Sequence, residues 1–273
     1  MPSGTPIDRH PGTSVDAGIS SPEDEAALGN ALLAALPSEA RGMLTNNSRV
    51  VHLAQRRVLW EPGQEADAVY FPLSGVVSLV TVMRDGDMVE AATVGKEGMV
   101  GLHHFLGSRS MPNLRAISQV EGDAVQVDAG AFLEASASQG PLPRMIERYA
   151  LVLQVATAQE VACNRQHPIE MRCARWLLTT RGQVGADEFG LTQEFLAEML
   201  GVRRATVTIA AGMLQKAGLI RYRRGWVEIL DPEGLTEAAC ECYEVIRDEY
   251  DRFMQEVRAH AAAEGTSAGL RVG

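Results

Sequence analysis

The sequence predicts an α+β protein in which a β-rich half, a long helix and a helical domain with its own hairpin follow one another. Three observations carry this. From Val50 to about Val127, short apolar runs are punctuated by "PG", "SG" and "DG". From Pro143, apolar residues recur at alternating spacings of four and three. Leu191 to Ile220, "LTQEFLAEMLGVRRATVTIAAGMLQKAGLI", then places two short helical patterns around a glycine, with a pair of arginines opening the second.

The chain has 273 residues, 46% of them hydrophobic, enough for two domains that each bury a core. No apolar run approaches the roughly 18 residues of a membrane span. "MPSGTPIDRHPGTSVDAGISSPEDE" lacks a charged start followed by a hydrophobic segment, so a cytoplasmic protein is expected. Cys163, Cys173, Cys240 and Cys242 lack the CxxC spacing that lets two thiolates reach one metal. Neither a disulfide framework nor a metal site is expected, and the sequence names no cofactor. The 35 acidic against 25 basic residues argue against indiscriminate binding to nucleic acid, but the sum does not locate the charges.

Residues 1–24, rich in Pro, Gly, Ser and Thr, cannot offset the entropy of ordering and are expected to be a disordered tail. "EAALGNALLAALPSEARGML" has helical spacing broken at Pro37. The β-rich segment, within a domain of residues 25–142, suits a barrel or roll. Its clearest piece is "GVVSLVTVMRDGDMVEAATV", two strands joined at Asp85-Gly86 in a tight turn.

In the helix of residues 143–166, Met145, Tyr149, Val152, Ala156, Gln159 and Cys163 form a seam expected to face a partner helix. A second helix, "PIEMRCARWLLTT", starts at Pro168 and stops before "RGQVG". It opens a domain of residues 167–235, and residues 236–273 form an acidic helix and tail. His103-His104 read as strand neighbours that point apart and do not chelate together. Cys240 and Cys242 read as two apart on a helix, and so diverging, inert thiols; Cys163, on the seam, is placed to meet its symmetry mate. Trp60, Trp176 and Trp226 read as core or wing packing.

Thr192 can cap a helix that buries Phe195, Leu196, Met199 and Leu200 and ends at Gly201. On the next helix Val207, Ala210, Ala211 and Leu214 share a buried side, while Ala205, Thr208, Ile209, Gly212 and Lys216 share the opposite one. Between Met199 and Val227 stand six basic residues, Arg203, Arg204, Lys216, Arg221, Arg223 and Arg224, and no acidic one. "LIRYRRGWVEIL" follows as a hairpin turning at Arg224-Gly225. Two helices, a tight turn and a basic hairpin describe a winged helix-turn-helix, whose second helix enters the major groove while the hairpin meets phosphate.

The order of a β segment, a long helix and "LTQEFLAEMLGVRRATVTIAAGMLQKAGLIRYRRGWVEIL" resembles the Crp/Fnr family of bacterial transcription regulators over roughly residues 30–235. The resemblance implies a cyclic-nucleotide-binding-like roll, a parallel homodimer along the long helix and a winged helix that reads a palindrome. "VLWEPGQEADAVYFPLSGVVSL" is similar to the family's early roll strands. It implies DNA contacts by Thr192, Arg203, Arg204, Thr206, Thr208, Lys216, Arg223 and Arg224, and double-stranded DNA, a second copy of the chain and RNA polymerase as partners.

Where well-known members read their shared half-site with Arg, Glu and Arg, this chain has Arg204, Ala205 and Ile209, so a different half-site is expected. "GMVGL" lies where the family's ligand cassette lies. Gly98, Met99, Arg109 and Ser110 take the effector-binding places, with Met99 where a ribose-binding Glu is usual. The family's iron-sulfur branch needs cysteines near the N-terminus, and none precedes Cys163.

The expected function is a homodimeric, sequence-specific DNA-binding regulator with an unidentified effector. Its rivals are a cyclic-nucleotide-responsive regulator of the same build and a ligand-binding or protein-interaction module that uses the winged helix for docking. No catalytic constellation is found: there is no Gly-rich phosphate loop, HExxH or nucleophile elbow.

Overall fold

The computed structural model describes residues 21–46 and 48–269. The expected tail, residues 1–24, lies mostly outside the described residues, but its last part is helical. Ser21 accepts from the Asp24 amide and opens α1 (Pro22–Ala27). Two more short helices follow, α2 (Ala31–Ala34) and α3 (Ser38–Thr45). Gly29-Asn30 interrupts the pattern as well as Pro37. Buried Asn30 caps α2 through Oδ1 and donates to the carbonyls of Pro72 and Gly98, which ties the helices to the β domain.

The roll consists of β1 (Ser48–Leu53), β2 (Val58–Trp60), β3 (Ala68–Pro72), β4 (Val76–Val82), β5 (Met88–Val94), the short helix α4 (Leu102–Phe105), β6 (Leu114–Val120) and β7 (Gly122–Asp128). They form two antiparallel sheets, ordered β1-β7-β3 and β2-β6-β4-β5. α5 (Ala129–Ser136) closes one end and places Phe132 against Phe71. The β4–β5 turn is one residue longer than a tight two-residue turn. Val82 pairs with Met88, the Met83 amide donates to Asp87, and within the turn Gly86 takes the positive φ while Asp85 does not. Three-residue hairpin loops have this form, with Gly in the left-handed position.

α6 (Pro141–Gln166) buries Ile146, Tyr149, Val152, Ala156 and Cys163. The seam read from the sequence is real, but what covers it is the chain itself. α11 (Cys242–Gly269) runs back antiparallel along α6: Gln159 meets Cys242, Arg148 pairs with Glu249 and Glu256, and Tyr149 packs on Phe253. A period of 3.5 marks a stripe that is covered; it does not say by which helix. The opposite stripe, Leu151, Gln154, Ala158 and Val161, is exposed. Residues 270–273 of the predicted tail lie outside the described residues.

α7 (Ile169–Val184) starts after Pro168 and runs a turn further than expected, through Gly182, until Gly185 adopts φ 75°. β8 (Glu188–Gly190), α8 (Gln193–Leu200), α9 (Arg204–Lys216), β9 (Ile220–Arg223), β10 (Trp226–Ile229) and α10 (Pro232–Ala238) complete the winged helix, with strand order β8-β10-β9. Its core is continuous with the roll: Val76, Val80, Ile117 and Val120 pack in one cluster with Trp176, Leu177, Phe195 and Leu196.

Candidate nucleic-acid interface

α8 and α9 meet as the sequence requires. Thr192 Oγ1 accepts from the Phe195 amide at 3.1 Å, and Gly201 ends α8 at φ 63°, a conformation that costs a side-chain-bearing residue. α9 buries Val207, Ala210, Ala211 and Leu214. Its outer face presents Arg203, Arg204, Ala205, Thr208, Ile209, Met213 and Lys216 to solvent, with Thr206 half-buried. Thr208 donates to Gln193 Oε1 at 2.8 Å, which brings the first helix of the pair to the edge of this face. The wing turns at Arg224-Gly225, both with positive φ, the geometry of a two-residue type I′ turn.

Among the described residues, no ion pair involves Arg203, Arg204, Lys216, Arg223 or Arg224. Arg221 differs: it pairs with Glu228 on the neighbouring strand at 2.6 Å. Five unpaired cations, the positive N-terminus of α9 and small side chains at Ala205 and Gly212 make a surface suited to a polyanionic helix. Gln193 and Met213, which sequence reasoning did not single out, join it, as does Trp226, read from the sequence as core or wing packing but exposed. Trp226 is signalled only by its place after the wing turn.

Met99 and Arg109 of the cassette region lie in different surroundings. Met99 is 1% exposed, and its side chain lies in the roll core with Val69 and Phe132. Tyr149 from α6 donates to its carbonyl at 3.2 Å and closes over Gly98, where a Cβ would strike the ring. Arg109 is exposed and paired with Glu65 at 2.9 Å, and Ser110 bridges to Glu65 through the backbone. Met99 is thus held in the core and Arg109 at the surface.

His103 and His104 stand on α4, not on a strand, with both rings buried 4.5 Å apart. A four-residue helix is too short for periodicity to reveal. Burial, then the neighbouring His104, lowers the pKa of His103 to about 4.

Two further groups of side chains were not legible as groups. Glu90 of β5 is fully buried, accepting from Trp176 Nε1 at 2.8 Å and lying 2.6 Å from Ser78 Oγ. Ser78 Oγ also lies 2.7 Å from Gln119 Oε1, and Gln119 donates to Thr180 of α7. One hydroxyl proton cannot serve two acceptors, so a protonated Glu90 that donates to Ser78 completes the chain. Burial, as the largest cause, pushes the Glu90 pKa up to about 8. The second group corrects the reading of the cysteines. Cys163 lies 3.5 Å from Cys240 of its own chain rather than at a symmetry mate, and Cys240, outside the helices, converges with Cys242 instead of diverging.

Two family models match the chain: a cyclic nucleotide-binding domain over residues 50–139 and a Crp-like helix-turn-helix domain over residues 171–238, together more than half of its length. No curated protein matches it in sequence. A putative regulator of the Crp/Fnr family from Eubacterium rectale superposes with a TM-score of 0.61 at 17% identity, over 76% of this chain and 96% of that one. FixK2 from Bradyrhizobium japonicum gives 0.60 at 15% identity, over 71% and 98%. CLP from Xanthomonas campestris, a c-di-GMP responsive global regulator, gives 0.58 at 17% identity, over 71% and 99%.

A roll joined by a long helix to a winged helix with an open basic face defines a DNA-binding transcription regulator rather than an enzyme. The chain belongs to the Crp/Fnr family, whose members bind DNA and act as dimers. No helix among the described residues is long and apolar enough to cross a membrane.

Proposed function

We propose that the chain binds a near-palindromic duplex as a homodimer, laying α9 in the major groove and the wing on the backbone, and that it acts on RNA polymerase at the bound site. The unpaired cations on the outer face of α9 and the wing carry this reading. Arg204 suits a guanine edge, Ala205 and Ile209 suit apolar contact with a thymine methyl, and Thr192, Arg203, Thr206, Thr208, Lys216, Arg223 and Arg224 suit phosphate or neighbouring bases. The roll biases the placement of the DNA-reading helices in response to an effector.

The self-contact in this proposal is the exposed stripe of α6. Leu151 and Val161 are 50% and 68% exposed, and with Gln154 and Ala158 they repeat at spacings of three and four, as a helix pair requires. On a palindrome the half-site centres are expected about 34 Å apart. Sedimentation should show a dimer, and Val161→Glu should give monomers that melt normally yet bind the duplex far more weakly. An unaltered chain that is monomeric both free and on DNA would remove the dimer from this reading.

The match to a cyclic nucleotide-binding domain favours one second reading, a cyclic nucleotide as effector. Met99 lacks the carboxylate that would accept from a ribose hydroxyl, a charge-assisted bond worth roughly 1.5 to 3 kcal/mol, or about ten- to a hundredfold in affinity. The Glu65 partner of Arg109 further opposes a phosphate. Calorimetric titration with cyclic AMP and cyclic GMP is expected to show no binding at cellular concentrations and no change in DNA affinity. Micromolar binding that tightens the DNA complex and is lost in Arg109→Ala would establish the second reading.

A further inference from the structure

Cys163 closes the last turn of α6, and His167, one turn on, caps the same helix with extended backbone. Cys240 lies in the break between α10 and α11, and Cys242, beyond Glu241, opens α11. The three sulfurs and a ring nitrogen of His167 all lie within 4.8 Å of one another. Cys163 Sγ is 3.5 Å from Cys240 Sγ, and Cys242 Sγ is 3.5 Å from His167 Nδ1. None of the four residues falls within either family match, which end at residue 139 and span residues 171–238. We propose that Cys163, His167, Cys240 and Cys242 form a tetrahedral site for one thiophilic divalent ion, Zn2+, that fastens α11 to the junction between the long helix and the DNA-binding domain.

Geometry selects the metal class. Zinc–sulfur bonds of about 2.3 Å in a tetrahedron set neighbouring sulfurs about 3.8 Å apart, close to the 3.5 Å between Cys163 and Cys240 and within about 1 Å of the widest spacing in the cluster, 4.8 Å. A disulfide needs sulfurs about 2.05 Å apart, and the 3.5 Å spacing leaves these as two thiols. An iron-sulfur cluster places several irons and sulfides between its ligands and needs a wider cage than this one. Three sulfurs and one imidazole, tetrahedral and closed, form a structural zinc set.

The surroundings fit as well. His167 Nε2 lies 3.2 Å from Glu241 Oε2, so a carboxylate holds the ring with Nδ1 turned toward the sulfurs. Metal-binding histidines are oriented this way, and removing such a partner costs about 10- to 100-fold in metal affinity. Gln159 donates to Cys242 Sγ at 3.0 Å. Zn2+ with three thiolates and a neutral imidazole carries one negative charge, and the buried guanidinium of Arg175, with Arg172 beside it, lies within electrostatic reach of Cys163 and Cys240. Glu160 answers part of the Arg175 charge, while Nε of both arginines lacks a hydrogen-bond partner. Arg172 also donates to the Leu200 carbonyl at the end of α8, which connects the site to the helix pair that carries α9.

The test is independent of DNA binding. Full-length protein purified under reducing conditions is expected to hold about one zinc per chain. After chelation, Co2+ titration should develop the visible bands of a tetrahedral ion and thiolate-to-cobalt charge transfer, saturating at one equivalent. Cys240→Ser and Cys242→Ser should lose the bands and Cys173→Ser should keep them, while Glu241→Ala should weaken Co2+ about 10- to 100-fold. If the cysteine variants fail to fold, the cobalt spectrum of the unaltered chain decides alone. A folded chain that takes up no stoichiometric Zn2+ or Co2+, that contains iron and sulfide instead, or that isolates with a Cys163–Cys240 disulfide under reducing conditions overturns the proposal.

Discussion

Trp176→Ala is expected to lower the stability of the chain by about 3–5 kcal/mol, seen as a fall in melting temperature on the order of 10 °C. The indole is 2% exposed, sits where the roll core meets α7, and donates to Glu90. Trp176→Phe keeps most of the volume and removes only the donor, so it should cost about 1–3 kcal/mol. Glu90 adds a pH dependence whose sign is fixed. Its carboxyl ionises near 4.5 when unfolded and about 8 when folded, so the folded chain holds an extra proton between these values. That stabilisation is complete below about pH 4.5 and is lost as pH rises through 8.

His103 acts in the other direction, with a folded pKa of about 4 against 6.5, so its contribution is present above pH 6.5 and lost as pH falls through 4. Relative to Glu90→Gln, urea midpoints of the unaltered chain should decline as pH rises from about 4.5 to 8. An identical decline in that variant would show that another group is responsible.

Arg204→Ala should cost about 1–3 kcal/mol at the best operator and relax preference at a single base pair, because a bidentate contact to guanine carries sequence information. Arg223→Ala and Arg224→Ala should instead weaken specific and random DNA alike, each lowering the slope of log affinity against log salt by about one. Binding assays on operator and scrambled duplexes at several salt concentrations separate the two. Equal losses on both duplexes for all three variants would take Arg204 out of the reading role.

The face of α9 was legible because a helix fixes its faces locally. Val207, Ala210, Ala211 and Leu214 needed only the 3.6 period to be placed inside. The hairpin at Arg224-Gly225 was legible for the same reason, since turn chemistry is a matter of adjacent residues. The seam on α6 was read with the right residues and the wrong neighbour, for the covering helix begins at Cys242, far along the chain.

The cysteine cluster left half a trace. Cys163 and His167 stand one helical turn apart, but Cys240 is 77 residues beyond Cys163, and no Gly or Pro marks the break that lets it meet Cys242. Glu90 and Trp176, 86 residues apart, show no pattern at all. Where one partner of a contact sits on a β hairpin and the other on a remote helix, the sequence names the residues and leaves their meeting to the fold.

The return of α11 along α6 also sets a timetable for making the molecule. Arg148 waits for Glu256, 108 residues later, and Tyr149 and Cys163 wait for Phe253 and Cys240. At about 5–20 residues per second, the emerging chain carries the apolar side of its longest central helix uncovered for roughly 5 to 20 s. Until α11 has been synthesised, the nascent roll and winged helix present that stripe to the chaperones and proteases around the ribosome. A message broken before codon 240 would yield a protein that still has its whole DNA-reading face and no cover for α6. Such a fragment is expected to be cleared by quality control and not to persist as a regulator.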